Sequence, residues 1–178
     1  YKLFVRGTCV VTDSRSAEMT KLVENAYRDV NIAFANELSI VADKMGLDVW
    51  EVIRLANRHP RVNILQPGPG VGGHCIAVDP WFLVAGAPAA ARLVRTAREV
   101  NDHKAVHTES KIRALLDAAP NGKVALLGLA FKPDIDDFRE SPALELAEAL
   151  SHTHGKRILV VEPFPDELPP AFSGSGAS

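Results

Sequence analysis

The longest periodic stretch of the sequence constrains the fold more than any other feature. From Ser16 to Met45 the apolar residues recur every three or four positions: Met19, Leu22, Val23, Ala26, Tyr27, Val30, Ala33, Phe34, Leu38, Val41 and Met45. This spacing predicts one helix with one buried stripe, ended by Gly46. A helix of about 30 residues is about 45 Å long at 1.5 Å per residue, and this unusual length indicates a scaffold or a contact between subunits.

Shorter patterns predict the elements around this helix. Residues 1–12 hold two apolar runs on either side of Gly7, which predict extended segments or a hairpin. Three further helices are predicted: one begins after Asp48, with Glu51 in the capping-box position; one begins at Pro80, with Asp79 as its N-cap; and one covers residues 88–118. The first two thirds of the chain are therefore predicted to be mainly helical.

The last third has a different pattern. Two short apolar runs, Lys123–Leu129 and Arg157–Val161, are typical of strands buried on both faces of a parallel sheet, and a helix is predicted between them from Ser141. Together they predict a right-handed parallel βαβ unit. Because two strands leave open edges, further strands are expected after Glu162 or from a partner. The predicted fold class is a mainly α helical domain followed by a partial α/β, Rossmann-like unit.

Composition narrows the class of protein. With 20 Lys and Arg against 22 Asp and Glu, the net charge of −2 gives no broad positive field for nucleic acid. No apolar run reaches the roughly 18 residues of a membrane span, and the cysteines are too few for a disulfide framework. We therefore expect a reduced, cytoplasmic protein without nucleic-acid or membrane partners. Because the sequence starts at Tyr1 and ends in a Ser/Gly tail, we also expect it to be a piece of a longer gene product.

A loop rich in proline and glycine over residues 59–78 is the most informative stretch, because loops this long are usually functional. Gly68, Gly70 and Gly73 match Gly-x-Gly-x-x-Gly, but no strand precedes them and no helix follows, as a dinucleotide fingerprint requires. A Walker loop also fails, because a His-Cys pair replaces its Lys and Ser or Thr. What remains is a loop whose backbone can approach a ligand closely and which ends at Cys75.

The thiol at the end of this loop is the main candidate for chemistry. Cys75 could be a nucleophile activated by nearby cations, or an inert buried cysteine. A metal site built from His74, Cys75 and Asp79 is disfavoured, because no Cys-x-x-Cys partner exists. His103 and His107 lie one helical turn apart, but a solvated helix face explains them better than a metal site.

Polar side chains on other elements are further candidates. Lys21 and Asn25 are four residues apart and share one face of the long helix, where they could bind a ligand or be solvated. Asp79 could join such a site or simply cap its helix. Lys132 and Arg139 follow the first predicted strand, where ligands bind in open α/β sheets.

Three separated motifs carry a resemblance to a known family. They are AEMTKLVENAYRDVNIAFANELS from Ala17 to Ser39, RLANRHPRVNILQPGPGVGGHCIAVDPWFLV from Arg54 to Val84, and GLAFKPDIDDFRESPALELAEAL from Gly128 to Leu150. In this order they resemble the UDP-glucose/GDP-mannose dehydrogenase family over nearly the whole chain up to Pro163. Members of that family oxidise the C6 alcohol of a nucleotide sugar to the acid in two hydride transfers to NAD.

The resemblance implies a domain organisation. Residues 1–12 end an N-terminal NAD-binding domain. Residues 13–119 form a helical domain that makes a homodimer through its long helices and carries the catalytic loop 59–79. Residues 120–178 are part of a UDP-binding α/β domain with a flexible tail. Without the NAD-binding domain, the chain alone is expected to be inactive.

The resemblance also implies roles for individual residues. Cys75 is the nucleophile that forms a thiohemiacetal and then a thioester, Lys21 and Asn25 stabilise the oxyanion, and Asp79 helps to activate water. Arg139 faces the NAD phosphates. The residues implied in sugar-nucleotide binding are Arg61, which reaches into the partner's site, and Ile64, Leu65, Gly70, Gly72, Gly73, Phe131 and Lys132.

The identity of the substrate is implied less directly. The sequence RHPR at residues 58–61, together with His74, resembles the N-acetylmannosamine branch, which implies UDP-N-acetyl-D-mannosamine; another UDP- or GDP-sugar is the alternative. The missing dinucleotide fingerprint favours a rival hypothesis, a noncatalytic module for dimerisation and sugar-nucleotide binding. A dehydrogenase of small hydroxy acids is disfavoured, because those enzymes lack the Gly-Gly-His-Cys loop.

Overall fold

The computed structural model describes residues 2–163 and residue 172. In this part of the chain the elements are α1 (Ser14–Lys44), α2 (Val49–Ala56), α3 (Asp79–Gly86), α4 (Arg92–Ala118), β1 (Val124–Leu127), α5 (Pro142–His154), a 3-10 turn (Gly155–Arg157) and β2 (Ile158–Val161). The predicted fold class is confirmed: a helical part is followed by a small α/β unit. Within the described residues, no helix is both long enough and apolar enough to span a membrane.

The long helix predicted from the apolar spacing is α1, which has 31 residues. The expectation that its whole apolar stripe is buried is wrong for the described residues, because Tyr27 and Phe34 are 72% and 55% exposed. It begins after Asp13, whose carboxylate accepts the backbone N–H of Ser16 at 3.0 Å. It ends before Gly46, which adopts a left-handed φ of 69° that favours glycine. Local capping at both ends therefore defines the length of this helix.

The shorter helices differ from the prediction at their ends. Asp48 caps α2 by accepting the Trp50 N–H at 2.9 Å, but Glu51 pairs with Arg54 instead of closing a capping box. Helix α4 begins four residues later than predicted, because residues 87–91 form turns on the Ala87 carbonyl. The prediction that Asp79 caps α3 is wrong: Val78 is the N-cap residue, and Asp79 lies inside the first turn.

The prediction of extended segments or a hairpin in the first 12 residues is also wrong. Residues 2–12 contain no strand. Leu3, Val10 and Val11 are at least four-fifths exposed, with exposures of 100%, 82% and 91%. A two-stranded hairpin is marginal unless it buries an apolar face, and this segment buries none.

The α/β unit has the predicted parallel connection. Val124 of β1 lies opposite Ile158 of β2, and α5 connects the strands after its N-cap, Ser141. One sheet face packs on α4 and α5 in a core of buried residues: Leu116, Leu129, Leu146, Ala147, Leu150, Ile158, Val160 and Phe172. The other face is open, because Leu127 and Val161 are 78% and 50% exposed. The expectation that β1 is buried on both faces is therefore wrong for the described part of the chain.

A buried polar network joins α1 to α4. Arg98 of α4 donates to Asp29 of α1 at 2.7 Å and also to Asp102. Asn101 donates to the same Asp29 oxygen at 2.8 Å and accepts from Asn36 at 2.9 Å. Burial raises the pKa of the Asp29 carboxyl, and the Arg98 guanidinium opposes this rise. The pair therefore compensates two charges that would be costly to bury singly.

We expect Arg98→Met to lower the free energy of unfolding by about 3–5 kcal/mol, because it leaves the Asp29 carboxylate buried without its cation. The matched control is Arg54→Met, which breaks the exposed ion pair with Glu51 and should change stability by less than about 1 kcal/mol. Urea unfolding followed by circular dichroism measures both. Equal losses in the two variants would contradict the importance of the buried pair.

Candidate functional site

A cleft of about 550 Å³ opens between three parts of the chain. Helix α1 contributes Asn25 and Arg28, the glycine-rich loop contributes residues 70–76, and the segment after β1 contributes residues 131–133. The cleft therefore lies where the helical part meets the α/β unit, and it contains the thiol that the sequence singles out.

Cys75 is held in this cleft by a turn that leads directly into α3. Its carbonyl accepts the backbone N–H groups of Val78 at 3.1 Å and Asp79 at 2.8 Å. The side chain is a free thiol and is half-buried. The position of the sulfur is thus tied to a helix rather than left to the long loop before it.

Two predicted site residues from distant parts of the sequence meet beside this turn. The Asn25 amide donates a hydrogen bond of 2.5 Å to the Asp79 carboxylate. Because Asp79 is not the helix cap, its side chain is available for this contact. The bond links α1 to α3, and the structure thereby brings Asn25, Asp79 and Cys75 into one region.

The glycines before Cys75 allow two backbones to approach closely. A Cβ atom on Gly72 would lie 2.3 Å from the carbonyl oxygen of Glu140, and one on Gly73 would lie 2.8 Å from the Phe131 ring. Gly73 has a φ of 85° and donates its N–H to the Arg139 carbonyl at 3.2 Å. Side chains at these two positions would push the α/β unit away from the loop.

The segment after β1 brings three predicted residues to the cleft or next to it. Phe131 and Lys132 line the cleft, and the Lys132 side chain is exposed. Arg139 pairs with Asp137 through Nε–Oδ1 and Nη2–Oδ2 distances of 2.9 and 2.6 Å. This hydrogen bonding lowers the pKa of Asp137 to about 2, so both partners are charged at neutral pH.

Other predicted residues lie outside the cleft. Lys21 is exposed on α1, one turn before Asn25, and does not line the cleft. Arg61 is exposed in the turn after α2, where its backbone N–H contacts His59 Nδ1 at 3.3 Å. Ile64 has both backbone groups bonded to the Asn57 side chain, and Leu65 is half-buried. The roles predicted for these four residues remain predictions.

Arg28 also contributes to the cleft. Arg28 lies three residues after Asn25, a spacing that places both on one side of α1. With Lys132 it makes the lining cationic, since the described residues around the cleft include no carboxylate. Such a lining favours an anionic ligand.

Sequence reasoning missed a contact by which α1 supports the glycine-rich loop. The Asn36 side chain accepts the backbone N–H of Gly68 at 2.9 Å while donating to Asn101. No local pattern indicates this contact, because Asn36 and Gly68 are 32 positions apart. The buried network between α1 and α4 therefore extends to the loop that forms the cleft.

The two histidines considered for a metal site, His103 and His107, lie on α4. His107 lies 4.0 Å from Asp43, and burial lowers the pKa of its imidazole. Within residues 2–163 and residue 172, no group of three His, Cys, Asp or Glu side chains is arranged to hold a metal ion.

Comparison with known proteins gives matches over both parts of the chain. Residues 15–103 match the central domain of the UDP-glucose/GDP-mannose dehydrogenase family, and residues 125–174 match the UDP binding domain of that family.

Individual relatives agree with these matches. The UDP-N-acetyl-D-mannosamine dehydrogenase of Escherichia coli (strain K12) is 60% identical over 182 residues, which cover 98% of this chain and 43% of the relative. The NDP-N-acetyl-D-galactosaminuronic acid dehydrogenase of Ralstonia nicotianae is 59% identical, covering 98% of this chain and 41% of that protein. The native structure of the UDP-N-acetyl-mannosamine dehydrogenase from Staphylococcus aureus superimposes with a TM-score of 0.78 at 44% identity, covering 94% of this chain and 39% of that one. The chain thus spans less than half the length of these proteins.

We expect Gly72→Ala to lower the free energy of unfolding by about 1–3 kcal/mol, because its methyl group would collide with the Glu140 backbone. Gly86→Ala is the matched control: a Cβ there meets none of the described residues within 4 Å, so the variant should be as stable as the parent or slightly more so. Urea unfolding measures both changes. A Gly72→Ala protein of unchanged stability would show that the loop and the α/β unit do not pack this closely.

Proposed function

This chain belongs to the UDP-glucose/GDP-mannose dehydrogenase family, and we propose that its full-length form is an NAD-dependent nucleotide-sugar 6-dehydrogenase. The proposed reaction converts UDP-N-acetyl-D-mannosamine to UDP-N-acetyl-D-mannosaminuronate. The observation that carries this proposal is the free thiol of Cys75 in a cleft lined by Arg28 and Lys132. The names of several relatives support the N-acetylmannosamine substrate.

Cys75 performs the covalent part of the proposed reaction. Its thiolate adds to the carbonyl carbon of the aldehyde that the first oxidation of C6 produces, and a thiohemiacetal forms. The second oxidation turns this into a thioester. Water then cleaves the C–S bond, which releases the carboxylate product and restores the thiol. NAD, when bound, supplies the hydride acceptor, and because each NAD takes one hydride, the two oxidations consume two NAD.

Three further residues act at the carbonyl carbon that Cys75 attacks: Asn25, Lys21 and Asp79. One amide hydrogen of Asn25 is bound to Asp79, and the other can donate to the oxyanion of the tetrahedral intermediate. Lys21 lies one turn earlier on α1 and adds a second donor. The Asp79 carboxylate, held by Asn25, orients and deprotonates the water that hydrolyses the thioester.

The nucleotide part of the substrate is bound where the two parts of the chain meet. Cationic Arg28 and Lys132 favour the diphosphate, and Phe131 offers an aromatic face. The backbone of the loop from Ile64 and Leu65 to Gly70 and Gly73 wraps the sugar nucleotide.

The proposed domain boundaries separate the helical part of the chain from the α/β unit. Residues 13–119 are the central dimerisation domain, with catalytic loop 59–79, and residues 120–178 belong to the UDP-binding domain. Residues 1–12 end a preceding NAD-binding domain.

Within this chain we assign Arg139 to the NAD phosphates, since its Nη1 has no hydrogen bond to the described residues.

An apolar stripe on α1 supports a homodimer. Tyr27, Phe34 and Val41 follow each other at intervals of seven residues, and Tyr27 and Phe34 are 72% and 55% exposed. A row of large exposed apolar side chains at this spacing is typical of a helix that packs against another helix. In the proposed dimer, Arg61 reaches the substrate site of the partner subunit.

The second candidate function is a noncatalytic dimerisation and sugar-nucleotide-binding module. It is favoured by one observation: the glycine-rich loop follows no strand and leads into a turn, so it does not form a dinucleotide fingerprint. Mixing the purified chain with NAD and UDP-N-acetyl-D-mannosamine distinguishes the two. Sustained formation of NADH, followed at its absorbance band, would reject the module for the chain on its own.

We expect Cys75→Ser to abolish formation of the uronate by the full-length protein, because a hydroxyl is far less nucleophilic than a thiolate. Product is measured by mass spectrometry of the nucleotide sugars. Cys9→Ser is the matched control and should keep the parent rate, since Cys9 lies in the N-terminal segment outside the cleft. A normal rate in the Cys75 variant would overturn the covalent mechanism.

We expect Phe34→Glu to convert the dimer to a monomer, because it places a charge in the apolar stripe of both subunits. Light scattering coupled to size-exclusion chromatography should show the molar mass falling by half. Lys156→Glu, exposed and outside α1, is the control and should remain dimeric. A dimeric Phe34 variant would exclude this face of α1 as the interface.

A further inference from the structure

The side chain of Asp137 has no place in the reaction described so far, yet it makes an unusually complete contact with Arg139. Its two carboxylate oxygens accept from Nε at 2.9 Å and from Nη2 at 2.6 Å. One oxygen also accepts the Arg139 backbone N–H at 3.1 Å. A two-point pair of this kind fixes the plane of the guanidinium as well as its position.

The backbone around this pair is anchored to the cleft. The Asp137 carbonyl accepts the Phe131 N–H at 3.3 Å, and the Arg139 carbonyl accepts the Gly73 N–H at 3.2 Å. The next residue, Glu140, has a left-handed φ of 51°, and its carbonyl lies against Gly72. The base from which the Arg139 side chain extends therefore has a defined position relative to the loop that ends at Cys75.

The charges agree with this placement. The hydrogen bond to Asp137 is the main cause that raises the pKa of Arg139, and the charge of the Cys75 thiolate adds to the rise. Because Asp137 occupies Nε and one side of Nη2, the N–H groups of Nη1 on the opposite edge have no acceptor among the described residues.

We propose that Asp137 is a positioning residue that holds Arg139 so that the free edge of its guanidinium meets a phosphate oxygen of the dinucleotide. The inference rests on the proposed function, in which Arg139 binds that phosphate. The Arg139 side chain is 65% exposed, so without this contact it would sample many rotamers, which binding would then have to restrict. Holding it beforehand removes part of that cost.

The test uses Asp137→Asn in the full-length protein. We expect the dissociation constant for NADH, measured by nucleotide fluorescence, and the KM for NAD to rise about 3- to 10-fold. The kcat and the KM for the sugar nucleotide should stay within about twofold of the parent values. An effect confined to the dinucleotide separates positioning of Arg139 from general damage to the cleft.

Two further variants make the test specific. Asp136→Asn removes the neighbouring exposed carboxylate, which has no hydrogen bond within the described residues, and should leave all constants unchanged. Arg139→Ala should weaken dinucleotide binding, and adding Asp137→Asn to it should cause no further loss, because Asp137 acts through Arg139. Thermal melting checks that each variant is folded.

The outcomes separate this inference from the function on which it rests. If the parent protein is active and Asp137→Asn binds NADH as tightly as the parent, or more tightly, the inference is wrong and the function stands. Additive losses in the double variant would also overturn it. If the parent protein neither binds NADH nor oxidises the sugar nucleotide, both are overturned.

Discussion

The ion pair between Asp29 and Arg98 is the contact on which the rest of the structure depends. It lies between the two longest helices, with side-chain exposures of 0% and 3%, so neither charge has water to stabilise it. Since each residue compensates the other, sliding one helix along the other would leave two buried charges uncompensated. The pair therefore sets the register of α1 against α4 more sharply than the small apolar residues around it, such as Ala26, Ala33 and Ala97, can do.

This register carries through to the candidate site. Asn101 of α4 accepts a hydrogen bond from Asn36 of α1, and Asn36 in turn accepts the backbone N–H of Gly68. Asn25 of α1 donates to Asp79 of α3. The loop that ends at Cys75 is thus supported on the helical side by side chains. On the α/β side the contact is between backbones, at Gly73 and Arg139. The helical part therefore holds the loop through side chains, and the α/β unit holds it through a backbone hydrogen bond.

The sequence predicted the parts of this architecture that depend on local chemistry. The extent of helix α1, its glycine stop, the Asp48 cap and the βαβ order all follow from neighbouring residues and were confirmed. Asp79 could not be decided locally, because a carboxylate before a proline can equally cap a helix or reach another one. The structure shows the contact with Asn25, 54 positions away. The prediction from the apolar runs of residues 2–12 failed for a related reason. An apolar run forms a strand only where another apolar surface packs against it.

The connection between Asn36 and Gly68 has a consequence for the order of folding. Asn36 and Asn101 are 65 positions apart, and closing a chain segment of that length is slow compared with forming either helix. The Asn36 side chain makes both contacts at once: its Nδ2 donates to Asn101, and its Oδ1 accepts the backbone N–H of Gly68. We therefore expect the two long helices to meet before the glycine-rich loop becomes ordered, so that Cys75 reaches its final surroundings late in folding.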